Sequence, residues 1–170
     1  MLMLSLKERR TKELVVMPIE LQVANECDFE EIPEKAWFDE WFGVVLDEIA
    51  DERKNLEVSV RICGVDESRF LNLNYRSIDK PTNVLSFPAD IESEEFSHVL
   101  GDLVICWDLL IAESRGQNKT LMDHASHLLI HGLLHLLGFT HEKDNLATQM
   151  EKIEIEILGK RNISNPYEGR

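Results

Sequence analysis

The 170-residue sequence predicts an α+β fold: a small mixed sheet of four strands packed with about five helices, one of them carrying a histidine cluster. Three observations lead there. Stretches with alternating apolar residues, IELQV at 19–23 and LEVSVRI at 56–62, interleave with stretches whose apolar residues recur at helical spacing, such as Trp37, Trp41, Val45 and Ile49. LVICW at 103–107 is apolar without alternation, as in a strand covered on both faces. Neither repeats nor low-complexity linkers divide the chain, so residues 19–160 read as one domain, with 1–18 as an N-terminal extension and 161–170 as a C-terminal tail.

Taken in order, Ile19, Leu21 and Val23 mark the first strand, and Pro33 suits the first turn of the helix that follows, whose Trp37–Trp41 pair faces the core. Leu56, Val58, Val60 and Ile62 form one side of the second strand. Residues 66–76 read as a short helix, PTN at 81–83 as a turn, and VLSF at 84–87 as an edge strand closed by Pro88. After LVICW comes a helix from about Asp108, broken near Gly116. Thr120 and Asp123 have the spacing of a capping box, and Gly138 has the place of a C-terminal glycine, so the histidines between them are helical. A last helix, about 143–158, places Leu146, Met150, Ile153 and Ile157 on one face.

Composition narrows the function classes. A formal net charge of −14 argues against broad attraction to nucleic acid, which relies on lysine and arginine displacing counterions; any such role needs a local site. Basic residues do gather at Arg61, Arg69, Arg76 and Lys80. No run approaches the about 18 apolar residues of a membrane span, and the charged start lacks the apolar core of a secretory signal. Cys27, Cys63 and Cys106 have no C-x-x-C pairing and read as free thiols of a reducing compartment, the cytoplasm.

The chemistry lies in HLLIHGLLHLLGFTH at 127–141, which holds four of the six histidines. His131 and His135 stand one helical turn apart on one face, able to reach one ion together. Gly138 turns the chain and brings His141 back as a third ligand. Three neutral imidazoles suit zinc, one ion per chain, and leave a coordination position open as catalytic sites do. His127 lies a further turn back, too far along a straight helix to share the ion, and reads either as a support for the ligands or as packing, while His98 and His124 read as ordinary satisfied core or surface residues. Metzincin proteases have the same spacing in H-E-x-x-H-x-x-G-x-x-H, where glutamate is the general base. Here Gly132 takes its place, so a peptidase would lack its base.

HGLLHLLGFTH closely resembles the histidine motif of the YbeY family of bacterial endoribonucleases, and LNLNYRSIDKPTNVLSFP at 71–88 and LGDLVIC at 100–106 resemble that family's two other characteristic stretches. The resemblance implies a zinc-dependent, single-strand-specific endoribonuclease of ribosomal RNA maturation, acting at the 16S RNA 3′ end and in ribosome quality control. It implies His131, His135 and His141 as ligands and Arg76 as the catalytic arginine. The implied partners are single-stranded RNA and the small ribosomal subunit or its proteins, with no role for DNA or membrane. Thr140 departs from the aspartate that many members have before the third histidine. Asp79, Asp90, Asp102 and Asp144 remain open as general bases. Two other readings stay open, an assembly factor with structural zinc and a hydrolase of a different substrate.

Overall fold

A computed structural model of the protein describes residues 19–24, 32–90, 97–141 and 143–168; Cys27 and residues 1–18 lie outside them. Four strands, β1 (Ile19–Val23), β2 (Glu57–Cys63), β3 (Val84–Pro88) and β4 (Val99–Cys106), form one sheet in the order β1-β2-β4-β3. The pairs β1–β2 and β2–β4 are parallel, and β3 runs antiparallel to β4 at the edge. Five helices complete the described chain: α1 (Lys35–Glu48), α2 (Val65–Arg76), α3 (Trp107–Gly116), α4 (Leu121–Leu136) and α5 (Asp144–Gly159). Helices lie in the connections between the parallel partners, α1 between β1 and β2 and α2 between β2 and β4.

Strand alternation sorts the sheet's two faces. Val58, Val60, Ile62, Leu103 and Ile105 belong to the main core with α1, α4 and α5. Cys63, Leu85, Val104 and Cys106 form a smaller cluster on the other face with Leu71 of α2 and with Phe87 and Leu109. Cys63 and Cys106 are buried register partners that are not joined in a disulfide. No described helix is long and apolar enough to cross a membrane.

Two local expectations shift. Pro33 lies one residue before the N-cap Glu34, so its missing N–H falls outside the helix rather than in its first turn. Strand β4 begins at Val99 and ends at Cys106, while Trp107 opens α3 and is fully buried. The apolar run conceals this because Gly101 and Asp102 interrupt it. They are part of the strand all the same, at an irregularity where Val58 pairs with Gly101 after Glu57 has paired with Val99.

Gly101 explains why the bulge needs glycine. Its φ is +130°, and a Cβ there would lie 2.1 Å from the Phe87 carbonyl oxygen and 2.8 Å from the Ala89 nitrogen. Backbone atoms cannot swing aside as a side chain can. Gly101→Ala should therefore destabilise the fold by more than about 3 kcal/mol, read as a lowered urea midpoint; an unchanged midpoint would contradict this close approach of β3 and β4.

Candidate metal centre

Helix α4 brings the histidines together, and both of its ends are secured by side-chain or backbone bonds. At its start, Thr120 Oγ1 accepts from the Asp123 backbone N–H at 3.0 Å. At its end, Phe139 N–H reaches the Leu134 carbonyl at 2.9 Å and Gly138 N–H the His135 carbonyl at 3.0 Å, the paired bonds of a Schellman turn. Gly138 supplies the positive φ, +94°, that this turn requires. Beyond it the chain returns His141 to the helix. The imidazole of His141 stacks on that of His131 with centroids 5.5 Å apart and lies 4.8 Å from that of His135.

The three residues present ligand atoms all within 4.8 Å of one another, and this group can hold a metal ion. Their hydrogen bonds bear out the fit. His131 Nδ1 lies 2.8 Å from Glu154 Oε1, and His135 Nδ1 lies 3.0 Å from the Phe139 carbonyl oxygen. A carboxylate and a carbonyl only accept, so each Nδ1 carries the proton and each Nε2 is left with a lone pair. Those two Nε2 atoms are 3.1 Å apart. Lone pairs facing at that distance repel unless a cation joins them, and two nitrogens bound to one tetrahedral zinc sit about 3.3 Å apart.

Glu154 is the residue that sequence reasoning missed. It is wholly buried and accepts from His131 Nδ1, from His127 Nε2 at 3.1 Å and from the Tyr167 hydroxyl. Burial opposes its ionisation, but these three bonds prevail and carry its carboxyl down to about 2. The signal was present in the sequence. Glu154 stands four residues after Met150 and three before Ile157, on the apolar stripe of α5. Burial above all pushes the His135 imidazole down to about 4, with the bond to Phe139 opposing. His127, lowered chiefly by burial, turns its Nε2 to Glu154.

A cavity of about 290 Å³ opens beside His131 and His141, lined also by Ala147, Met150, Glu151, Glu154 and Tyr167. Glu151 is exposed there and, among the described residues, its carboxylate has no hydrogen-bond or ion-pair partner. The aspartates of the sequence reading sit elsewhere. Asp79 is held by Arg69 through bonds of 2.7 and 3.0 Å, Asp102 lines a groove on the α2 face of the sheet, and Asp90 and Asp144 are exposed. Arg76 is the exposed last residue of α2, followed by Ser77 in the left-handed conformation. Among the described residues Arg76 has no ion-pair partner, Asp79 being engaged by Arg69.

Much of the stretch around Arg76 is wiring for its loop. Ser68 Oγ donates to the Thr82 carbonyl and accepts from its N–H, and Asn72 Nδ2 donates to the Lys80 carbonyl at 2.8 Å. Asn83 Nδ2 donates to Glu113, whose Oε2 lies 2.7 Å from His124 Nε2. His124 thereby ties the start of α4 to the turn before β3.

The profile of the family described as endoribonuclease YbeY matches residues 22–162. The chain belongs to the endoribonuclease YbeY family. An endoribonuclease YbeY of Colwellia psychrerythraea is 45% identical over 150 residues, 88% of this chain and 96% of that relative. One of Acinetobacter baumannii is 50% identical over 121 residues, 68% of this chain and 77% of the relative. A Thermotoga maritima protein with a solution structure shares the fold, at a TM-score of 0.53 and 24% identity, over 88% of this chain and 99% of that one.

Family membership sharpens the meaning of Gly132. A Cβ at this position would fall 2.2 Å from Leu103 Cδ1 of β4, and Leu103 is fully buried, so α4 touches the sheet where a protease carries its glutamate. Gly132→Glu, which restores the protease pattern, should cost more than about 3 kcal/mol of stability by forcing a carboxylate into the core and should yield no peptidase. Equal stability of this variant in urea would contradict the packing.

The pKa shifts make the metal-free protein sensitive to acid. Folded His135 resists protonation down to about 4, whereas the unfolded imidazole takes a proton below 6.5, so stability falls as pH drops through that window. Glu154 extends the loss from 4.5 toward about 2, because only the unfolded chain protonates there. Urea midpoints of metal-free protein should decline steadily below pH 6.5 and be flat just above it; a flat profile from 6.5 to 4 would refute the assignment for His135.

Proposed function

We propose that the chain is a zinc-dependent endoribonuclease cleaving single-stranded RNA in ribosomal RNA maturation, with its partners the 16S RNA 3′ end and the small ribosomal subunit. One observation carries this beyond family membership: a three-imidazole group with the protease glutamate replaced by Gly132. A zinc ion held by His131, His135 and His141 would act as a Lewis acid toward a phosphodiester oxygen.

The chain's own residues supply the rest. Glu154 and the Phe139 carbonyl hold two imidazoles in the tautomer that keeps Nε2 available. Arg76 offers a planar guanidinium that grips two phosphate oxygens as charge develops on them, which a lysine cannot imitate. The ribose 2′-hydroxyl gives RNA a nucleophile and a recognition group that DNA lacks. A purely structural zinc would call for a closing fourth ligand, and His127, the nearest imidazole along α4, has its Nε2 committed to Glu154.

His135→Ala should abolish zinc binding and cleavage together, whereas Arg76→Ala should keep its zinc and slow cleavage of single-stranded RNA by about 10²–10³. Full cleavage by metal-free protein, or none by zinc-loaded wild type on any single-stranded RNA, would overturn the proposal.

A further inference from the structure

The chain beyond α5 turns back over the metal helix. Ile163 packs on the core, Pro166 is buried, and the Lys119 ammonium donates to the Pro166 carbonyl at 3.3 Å. Tyr167 N–H donates to Asn165 Oδ1 at 2.9 Å, which fixes the turn that aims the ring. That ring meets His127 edge-on, with centroids 5.4 Å apart, and its hydroxyl donates to Glu154. Tyr167 lies past residue 162, where the family match ends.

Glu154 links this segment to the ligands. One oxygen, Oε1, faces His131 Nδ1; the other, Oε2, takes both His127 and Tyr167. A glutamate carboxylate rotates easily about its terminal bond, because that torsion has broad minima. Held at one oxygen it can swing; held at both it cannot. The Oε2 contacts therefore fix the direction in which Oε1 meets His131, and so the direction of the His131 Nε2 lone pair. His127 alone is a weak restraint, at 3.1 Å and shared with the Tyr167 oxygen at 3.3 Å. The phenol also lines the cavity beside the metal ligands, together with Glu154.

We propose that Tyr167 is a positioning residue of the metal centre, and that residues 163–167 form a clasp that sets metal affinity through Glu154 without touching the ion. This rests on the three-histidine part of the proposed function and not on cleavage of RNA. It makes the C-terminal segment part of the metal site and predicts that changes to it alter metal retention.

The test is zinc affinity of the full-length chain, measured by competition with a chromophoric chelator, with cobalt(II) as a spectroscopic reporter of ligand geometry. Tyr167→Phe should stay folded yet bind zinc roughly tenfold more weakly, and its cobalt spectrum should shift; Glu154→Gln should lose about 10- to 100-fold. Because the phenol acts through the carboxylate, adding Tyr167→Phe to Glu154→Gln should weaken binding little further. Wild-type zinc affinity in Tyr167→Phe would overturn the proposal, as would fully additive losses in the double variant. A lowered thermal midpoint of metal-free Tyr167→Phe with unchanged zinc affinity would mark the residue as merely structural and also overturn it. No RNA enters these measurements, so a failure here is separate from a failure of the ribonuclease reading.

Discussion

Two imidazoles on successive turns of one helix point unprotonated nitrogens at each other across 3.1 Å, and the rest of the site follows from that opposition. Neither ring can relieve it by moving its proton, since Nδ1 of His131 must donate to Glu154 and Nδ1 of His135 to the Phe139 carbonyl. A cation between them converts the repulsion into coordination. The buried negative charge of Glu154 favours the same outcome, because a carboxylate removed from water is stabilised by positive charge on the far side of its hydrogen-bonded imidazole.

The fold serves this arrangement at particular points. Gly132 lets α4 approach Leu103 of β4 closely, and Ser86 of β3 donates to the Gly132 carbonyl at 3.3 Å. The metal helix thus sits against the edge of the sheet. At its end the Schellman turn does two things with one glycine: it directs His141 toward the other ligands, and it places the Phe139 carbonyl where His135 needs an acceptor. The same helix spacing serves peptide hydrolysis in metzincins only when a glutamate follows the first histidine, and here that position belongs to the core.

The sequence made most of this legible wherever a periodic rule applied. Alternation located β1 and β2, the unbroken apolar run pointed to β4 between its neighbours, and Thr120 and Gly138 bracketed the metal helix. What escaped had a physical reason in each case. The start of β4 was hidden by Gly101, which a strand tolerates there only because β3 passes so near. Glu154 was hidden because reading a helix by its apolar stripe passes over a carboxylate on that stripe, although a charge at a core position is itself a signal of a buried partner. Tyr167 could not be read at all, since nothing local ties a residue after α5 to His127 forty positions earlier. Arg76 was marked by resemblance alone; its neighbours Ser68 and Asn72 turn out to hold the loop that follows it.

An acidic chain acting on a polyanion must concentrate its attraction locally, and a metal ion at the three histidines, with an Arg76 that has no ion-pair partner among the described residues, would do so without a broad basic face. The most direct measurement of the metal centre is X-ray absorption at the zinc edge of the purified, zinc-loaded protein. Three imidazole nitrogens at about 2.0–2.1 Å with one further oxygen are predicted. A sulfur shell at about 2.3 Å, or a fourth imidazole in place of the oxygen, would contradict an open three-histidine site.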